Sequence, residues 1–199
     1  MRVYYRPGTG RPVRVAWLLE ELQVPYEALA VSREGAAQHH PLGQVPVLET
    51  PSGELFESTA ICLTLADEHG EMMPPLGTRE RALVYQWTLF AMTEIEPAYL
   101  EYARNLERDQ ARATAGAEAF RARAVLLEAA LTEHEFLVED RLTVADVVTG
   151  GVLGLALRRK LLPDPGLVNV SAYVERLTKR PAFVRAAAAT ESSLLELTR

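Results

Sequence analysis

Between Gly70 and Gly77 the chain reads Gly-Glu-Met-Met-Pro-Pro-Leu-Gly, and strand signals occur only upstream of that stretch. Proline fixes φ and withholds an N–H, so neither a helix nor a strand ladder continues easily through such a run. Upstream, short β-prone runs alternate with a helical period. Downstream, apolar residues recur at helical spacing alone. The 199 residues are enough for two modest domains. The pattern predicts a mixed α/β domain over residues 1–76 and an all-helical domain over residues 77–199.

Residues 2–5 form a β-prone run that ends at Pro7-Gly8-Thr9-Gly10, which is turn chemistry. Pro12 suits the first position of a helix, where its missing N–H would be unpaired anyway. Val13, Trp17, Leu18 and Leu22 then make one helical stripe, with Glu20 and Glu21 turned to solvent. Pro25 ends that helix, and Tyr26 to Val31 reads as a second strand. A β-helix-β unit of this length implies parallel pairing with a right-handed crossover. The polar stretch from Ser32 to Gln44 is expected to be irregular, with room for a short helix. Residues 47–49 and 54–56 flank Thr50-Pro51-Ser52-Gly53 and read as an antiparallel hairpin. Ser58 is a natural N-cap for a helix running to about His69 and closing at Gly70.

In the second part, residues 79–107 predict a long helix kinked at Pro97, and a second long helix runs from Arg112 to Glu133. Leu142-Thr143-Val144-Ala145-Asp146 is a helix-start signature: Thr143 can cap, Asp146 can reach back, and Leu142 can staple onto Val147. The helix it opens is apolar on nearly every face and should be buried centrally. Two shorter helices are expected near 169–179 and 182–189, the second opened by Pro181.

Composition narrows the function. With 48% hydrophobic and 24% charged residues the chain can bury a core and carries no signature of disorder. The net charge of −6 and the absence of a concentrated basic stripe argue against nucleic-acid binding. Arg158-Arg159-Lys160 and Lys179-Arg180 sit at expected helix ends, where positive charge complements the helix dipole. No stretch approaches a membrane span, and Met1-Arg2-Val3-Tyr4-Tyr5 lacks the apolar region of a signal peptide. Cys62 has no partner for an intrachain disulfide, which fits a reducing cytoplasm. His39, His40, His69 and His134 show no metal-ligand spacing with it, so no metal site is expected.

Five segments carry a resemblance. "YYRPGTGRPVRVAWLLEELQVPYE" (4–27), "HPLGQVPVLE" (40–49), "FESTAI" (56–61), "LTVADV" (142–147) and "RPAF" (180–183) resemble, in order and spacing, the motifs of the glutathione S-transferase family. The pattern is that of its cytosolic, bacterial-type members with a serine or threonine in the first turn. The resemblance implies a thioredoxin-like βαβ-ββα domain that holds glutathione. It also implies a helical bundle that frames a hydrophobic electrophile, and a two-fold homodimer serving detoxification.

It further implies site residues. Ser58 matches the position that binds the γ-glutamyl carboxylate, and Glu57 the acidic or amide residue beside it. Val45-Pro46 resembles the family's Val-cis-Pro step, in which Val45 pairs its main chain with the cysteinyl part of glutathione. Gln44 stands where relatives reach the glycine carboxylate. Thr9 aligns with the serine of serine-type members and is expected to donate to the glutathione sulfur. A free thiol with pKa about 8.5 is only a few per cent ionised at neutral pH, and lowering that by two units takes about 2.7 kcal/mol. A hydroxyl hydrogen bond at a helix start can supply it.

Tyr4 and Tyr5 are rivals for that role, since tyrosine-type members place a phenol at the end of the first strand. Gly10 stands where cysteine-type members carry a nucleophile, which argues against a mixed disulfide with the protein. Cys62 reads as a small buried hydrophobe. Tyr99 and Tyr102, beyond Pro97, are equally lining for the second substrate or plain packing. Two alternatives stay open: a glutathione-dependent disulfide or peroxide reductase, and a non-catalytic binding module on the same fold.

Overall fold

The computed structural model describes residues 1–198. The chain forms two compact units: Met1–Met73 together with the segment from Thr178 on, and Pro74–Leu177.

The first unit is built on a four-stranded sheet in the order β2-β1-β3-β4. Strand β1 (Arg2–Tyr5) pairs in parallel with β2 (Glu27–Ala30) and antiparallel with β3 (Val47–Thr50), which in turn pairs antiparallel with β4 (Gly53–Phe56). Helix α1 (Pro12–Glu21) begins with Pro12 as expected and buries every residue from Pro12 to Leu19. Helix α2 (Arg33–Ala36) is the short helix of the polar stretch, capped by Ser32, whose hydroxyl accepts from the Gly35 N–H. Helix α3 (Ser58–His69) closes at Gly70 in the left-handed conformation, φ 66°. The thioredoxin-like βαβ-ββα order read from the sequence is the observed one.

One detail differs. Ser58 does not cap α3; it is the first helical residue, and Glu57 occupies the cap position with φ 70° and ψ 105°. The Ser58 hydroxyl accepts from the Arg14 guanidinium at 3.5 Å. A side chain caps from the residue ahead of the first helical one, so Ser58 inside the helix is not in the capping position and meets the guanidinium of a neighbouring helix instead.

The second unit is helical, with α4 (Arg79–Phe90), α5 (Glu96–Asn105), α6 (Gln110–Ala130), α7 (Val144–Arg158) and α8 (Val168–Thr178). Side chains cap the starts: Thr78 accepts from the Arg81 N–H and Asp109 from the Arg112 N–H. Two main-chain N–H groups of α8, those of Asn169 and Val170, donate to the Glu128 carboxylate of α6 at 2.9 Å each. The interruption expected at Pro97 is a change of helix form one turn earlier. Residues Ala91–Ile95 form a π turn in which the Glu96 N–H donates to the Ala91 carbonyl. Pro97 has no N–H to give, and the wider turn ahead of it absorbs the break in the ladder.

Helix α7 is buried without interruption from Val144 to Gly154. Its start follows the sequence reading. The Thr143 N–H and hydroxyl donate to Asp146 at 2.7 and 2.9 Å, while the Leu137 N–H and the Tyr173 phenol reach the other carboxylate oxygen. Burial pushes the Asp146 carboxyl above the ordinary aspartate range, against the pull of those donors. Helix α9 (Pro181–Ala189) returns to the first unit and packs on α1, with Phe183 edge-on to Trp17 at 5.2 Å. Among the described residues no helix is long and apolar enough to cross a membrane.

Candidate functional site

The sheet register brings three segments to one end of the first unit. Tyr4 of β1 stands opposite Val47, and Val47 stands opposite Phe56. The turn leaving β1, the Val45-Pro46 step entering β3 and the Glu57-Ser58 junction leaving β4 therefore emerge together. All six residues singled out by sequence belong to these three segments.

The first segment is a tight turn. Gly8 takes φ 75°, a conformation that favours glycine because it has no Cβ. The Thr9 N–H donates to the Arg6 carbonyl at 3.2 Å and the Thr9 hydroxyl donates to the same oxygen at 2.6 Å. Helix α1 starts three residues later, with its N-terminal N–H groups and positive dipole end at the turn.

The second segment is a loop that ends in a cis peptide bond between Val45 and Pro46. The His40 ring accepts from the Leu42 N–H and its carbonyl from the Gly43 N–H, both at 2.9 Å, which fixes the turn ahead of Gln44. Gln44 is exposed, Pro46 is buried, and the paired part of β3 begins only at Val47. Val45 thus lies just outside the ladder.

The third segment opens α3. Ser58 is 3% exposed, next to the exposed Glu57 with its positive φ, a conformation uncommon for a residue other than glycine and one that tends to collect at functional sites. The guanidinium on Ser58 belongs to Arg14, which is fully buried on α1. A buried positive group and a helix start on one hydroxyl make a seat suited to a carboxylate. The sequence reading passed over Arg14; the signal was a charge lying within the apolar run Val13 to Leu19.

The rival phenols are committed elsewhere. Tyr4 donates to Glu49 at 2.5 Å and Tyr5 to Glu191 at 2.6 Å. The hydrogen bond to Glu49, followed by burial, holds the Tyr4 phenol above its ordinary pKa. The bond to Glu191, again followed by burial, pushes Tyr5 up to about 12. Each therefore resists giving up its proton. In the second unit, the Tyr102 phenol donates to the Arg159 carbonyl at 3.0 Å, and Tyr99 is 5% exposed with its phenol raised by burial.

Residues 1–67 match the family profile of the glutathione S-transferase N-terminal domain, and residues 82–181 that of the glutathione S-transferase C-terminal domain. The chain belongs to the glutathione S-transferase family. It is similar to glutathione S-transferase GstB of Escherichia coli (strain K12), 28% identical over 185 residues, which cover 85% of this chain and 88% of the relative. A crystal structure of a glutathione transferase from Methylococcus capsulatus str. Bath superposes with a TM-score of 0.83 at 30% identity, covering 95% of this chain and 98% of that one. The chain is also 36% identical over 151 residues to a probable elongation factor 1-gamma 2 of Arabidopsis thaliana, covering 72% of this chain and 37% of that protein. The chain is thus similar to relatives of more than one description.

Proposed function

We propose that this family member is a glutathione transferase that binds glutathione, stabilises its thiolate and directs it at a hydrophobic, electrophilic small molecule. The observation that carries the reading is the emergence of the Thr9 turn, the Val45-Pro46 step and the Glu57-Ser58 junction at one end of the sheet. Glutathione needs an anion seat, a main-chain edge and a donor for sulfur, and these segments offer one of each. Ser58, with the first N–H groups of α3 and Arg14 behind it, takes the γ-glutamyl carboxylate, and Glu57 accepts from the ammonium. Val45 pairs with the cysteinyl main chain. Gln44 donates to the glycine carboxylate. Thr9 turns its hydroxyl from the Arg6 carbonyl to the sulfur, a rotation of one side-chain torsion. Catalytic hydrogen bonds often form only once substrate is present. The reading includes a helical domain framing the electrophile and a cytoplasmic two-fold homodimer acting in detoxification, as the resemblance implies.

The test pairs calorimetry with turnover. Wild-type protein takes up glutathione and conjugates it to an activated aryl chloride. Thr9→Ala keeps the uptake and loses about 10²–10³-fold in kcat, the range seen when one donor to a developing anion is removed. Absence of glutathione uptake at millimolar concentration overturns the proposal. Faster turnover of a small disulfide or peroxide than of the aryl chloride assigns the protein to glutathione-dependent reduction. The elongation factor 1-gamma relatives favour a second reading, a non-catalytic binding module. Glutathione uptake without turnover of any of the three substrates, unchanged by Thr9→Ala, would establish it.

A further inference from the structure

The segment that follows α9 reaches back over the turn that carries Thr9. The Gly8 N–H donates to the Glu191 carbonyl at 2.8 Å, the Ser192 hydroxyl donates to the Thr9 carbonyl at 3.1 Å, and the Tyr5 phenol donates to the Glu191 carboxylate at 2.6 Å. Two consecutive residues therefore hold the turn at its entry, its middle and its end, across more than 180 residues of chain.

The holding segment is itself fixed. The N–H groups of Thr190, Glu191 and Ser192 donate to Ala186, Ala188 and Ala187 on the last turn of α9. The Ser192 hydroxyl also accepts from the N–H of Leu194, a fully buried side chain. Ser192 is 5% exposed and Glu191 adopts φ 42°, an uncommon conformation that persists where surrounding bonds determine it. Helix α9 rests on α1 through Phe183 against Trp17 and through Arg180, which grips both carboxylate oxygens of Glu21 at 2.6 and 2.8 Å. Turn, helix, returning helix and clasp make one closed frame.

Resting on the reading that Thr9 serves the glutathione sulfur, we infer that Glu191 and Ser192 are positioning residues that set the geometry of Thr9. Glycines flank Thr9 on both sides, at Gly8 and Gly10, so the turn left to itself samples many conformations. A donor helps only when it is held within a fraction of an ångström of its working place. The clasp supplies that hold and ties up the Tyr5 phenol in the same step. The groups proposed to bind the rest of glutathione stand on other segments, so the clasp governs turnover and leaves affinity alone.

The experiment uses full-length protein, glutathione and an activated aryl chloride, with Ser192→Ala, Glu191→Ala, Thr9→Ala and the double variant Thr9→Ala/Ser192→Ala. Loss of one hydrogen bond is expected to lower kcat about 5-fold in each clasp variant, with the Kd and KM for glutathione within about 2-fold of wild type. Adding Ser192→Ala to Thr9→Ala should cost nothing further, because the two act through one group. Tyr5→Phe, which removes a single oxygen and keeps the ring, is the milder variant if either alanine variant melts early, and should reproduce the effect of Glu191→Ala. Unchanged kcat overturns the inference, as do equal losses in kcat and glutathione affinity or additive losses in the double variant. Wild-type protein that takes up no glutathione sinks the site assignment itself, a result separate from any of these.

Discussion

Cys62 lies one helical turn beyond Ser58 on α3, fully buried, and Arg14 is near enough to act on it. Burial pushes its thiol up to about 12 while the Arg14 charge pulls the other way and loses. At pH 8 a thiol of that pKa is thiolate in about one molecule in ten thousand, against roughly a quarter for an ordinary cysteine. The native protein should therefore resist iodoacetamide from neutral pH to at least pH 10, and react fully once denatured. Rapid labelling of folded protein at pH 8, read by mass spectrometry, would contradict the burial. The same neighbourhood shows the limit of reading residues one at a time. Thr9, Ser58 and the Val45-Pro46 step stand out because each lies in a run of adjacent letters that resembles a family motif. Arg14 does not, because a charged residue in an apolar helical run looks like noise until the helix beside it supplies a hydroxyl. Nor do Glu191 and Ser192, whose contacts lie at the far end of the chain.

Helices α5 and α6 meet more closely than any propensity scale anticipates. A Cβ on Gly116 would lie 2.4 Å from the Tyr102 backbone nitrogen and 2.9 Å from the Glu101 carbonyl carbon. By helix propensity alone, alanine at this position is worth about 1 kcal/mol more than glycine. The clash is with main chain, which cannot rotate aside, so the two helices must separate and lose packing along their length. Overpacking of that kind costs about 1–3 kcal/mol, and a clash this close with main chain falls at the upper end of that range, above the propensity gain. Gly116→Ala should lower the melting temperature by several degrees, and an unchanged or higher value by calorimetry would refute the contact. Element starts were legible wherever the determinant is local, as at Pro12, Thr143 with Asp146, and Pro181. Two features were not. Ser58 is the first residue of α3 rather than its cap, and it meets a guanidinium from another helix. Pro97 announces a break in the ladder but not that a π turn ahead of it will carry the change.

At the scale of the molecule, the order of strands and helices could be read from the sequence, but not the way the chain returns. Nothing near Thr178 marks the segment after it as part of the first unit, because the contacts that place it there span 159 to 186 residues. Their weight can be judged from what they cover. Trp17 and Leu18 on α1 are fully buried, and α9 sets Phe183, Ala186 and Ala187, all fully buried, against that helix. Removing a single buried aromatic costs about 3–5 kcal/mol, a large share of the 5–15 kcal/mol that holds a typical domain together. The ion pairs Arg180 with Glu21 and Arg185 with Glu20 are lost with the same helix. A fragment of residues 1–76, though it contains every strand, should therefore fail to fold, giving no cooperative melt and binding a hydrophobic dye. The same fragment joined through a flexible linker to residues 178–199 should melt cooperatively, since the linker replaces only the chain that leaves the unit. A sharp thermal transition in the short fragment would mean that α9 is an accessory to α1 rather than part of its core.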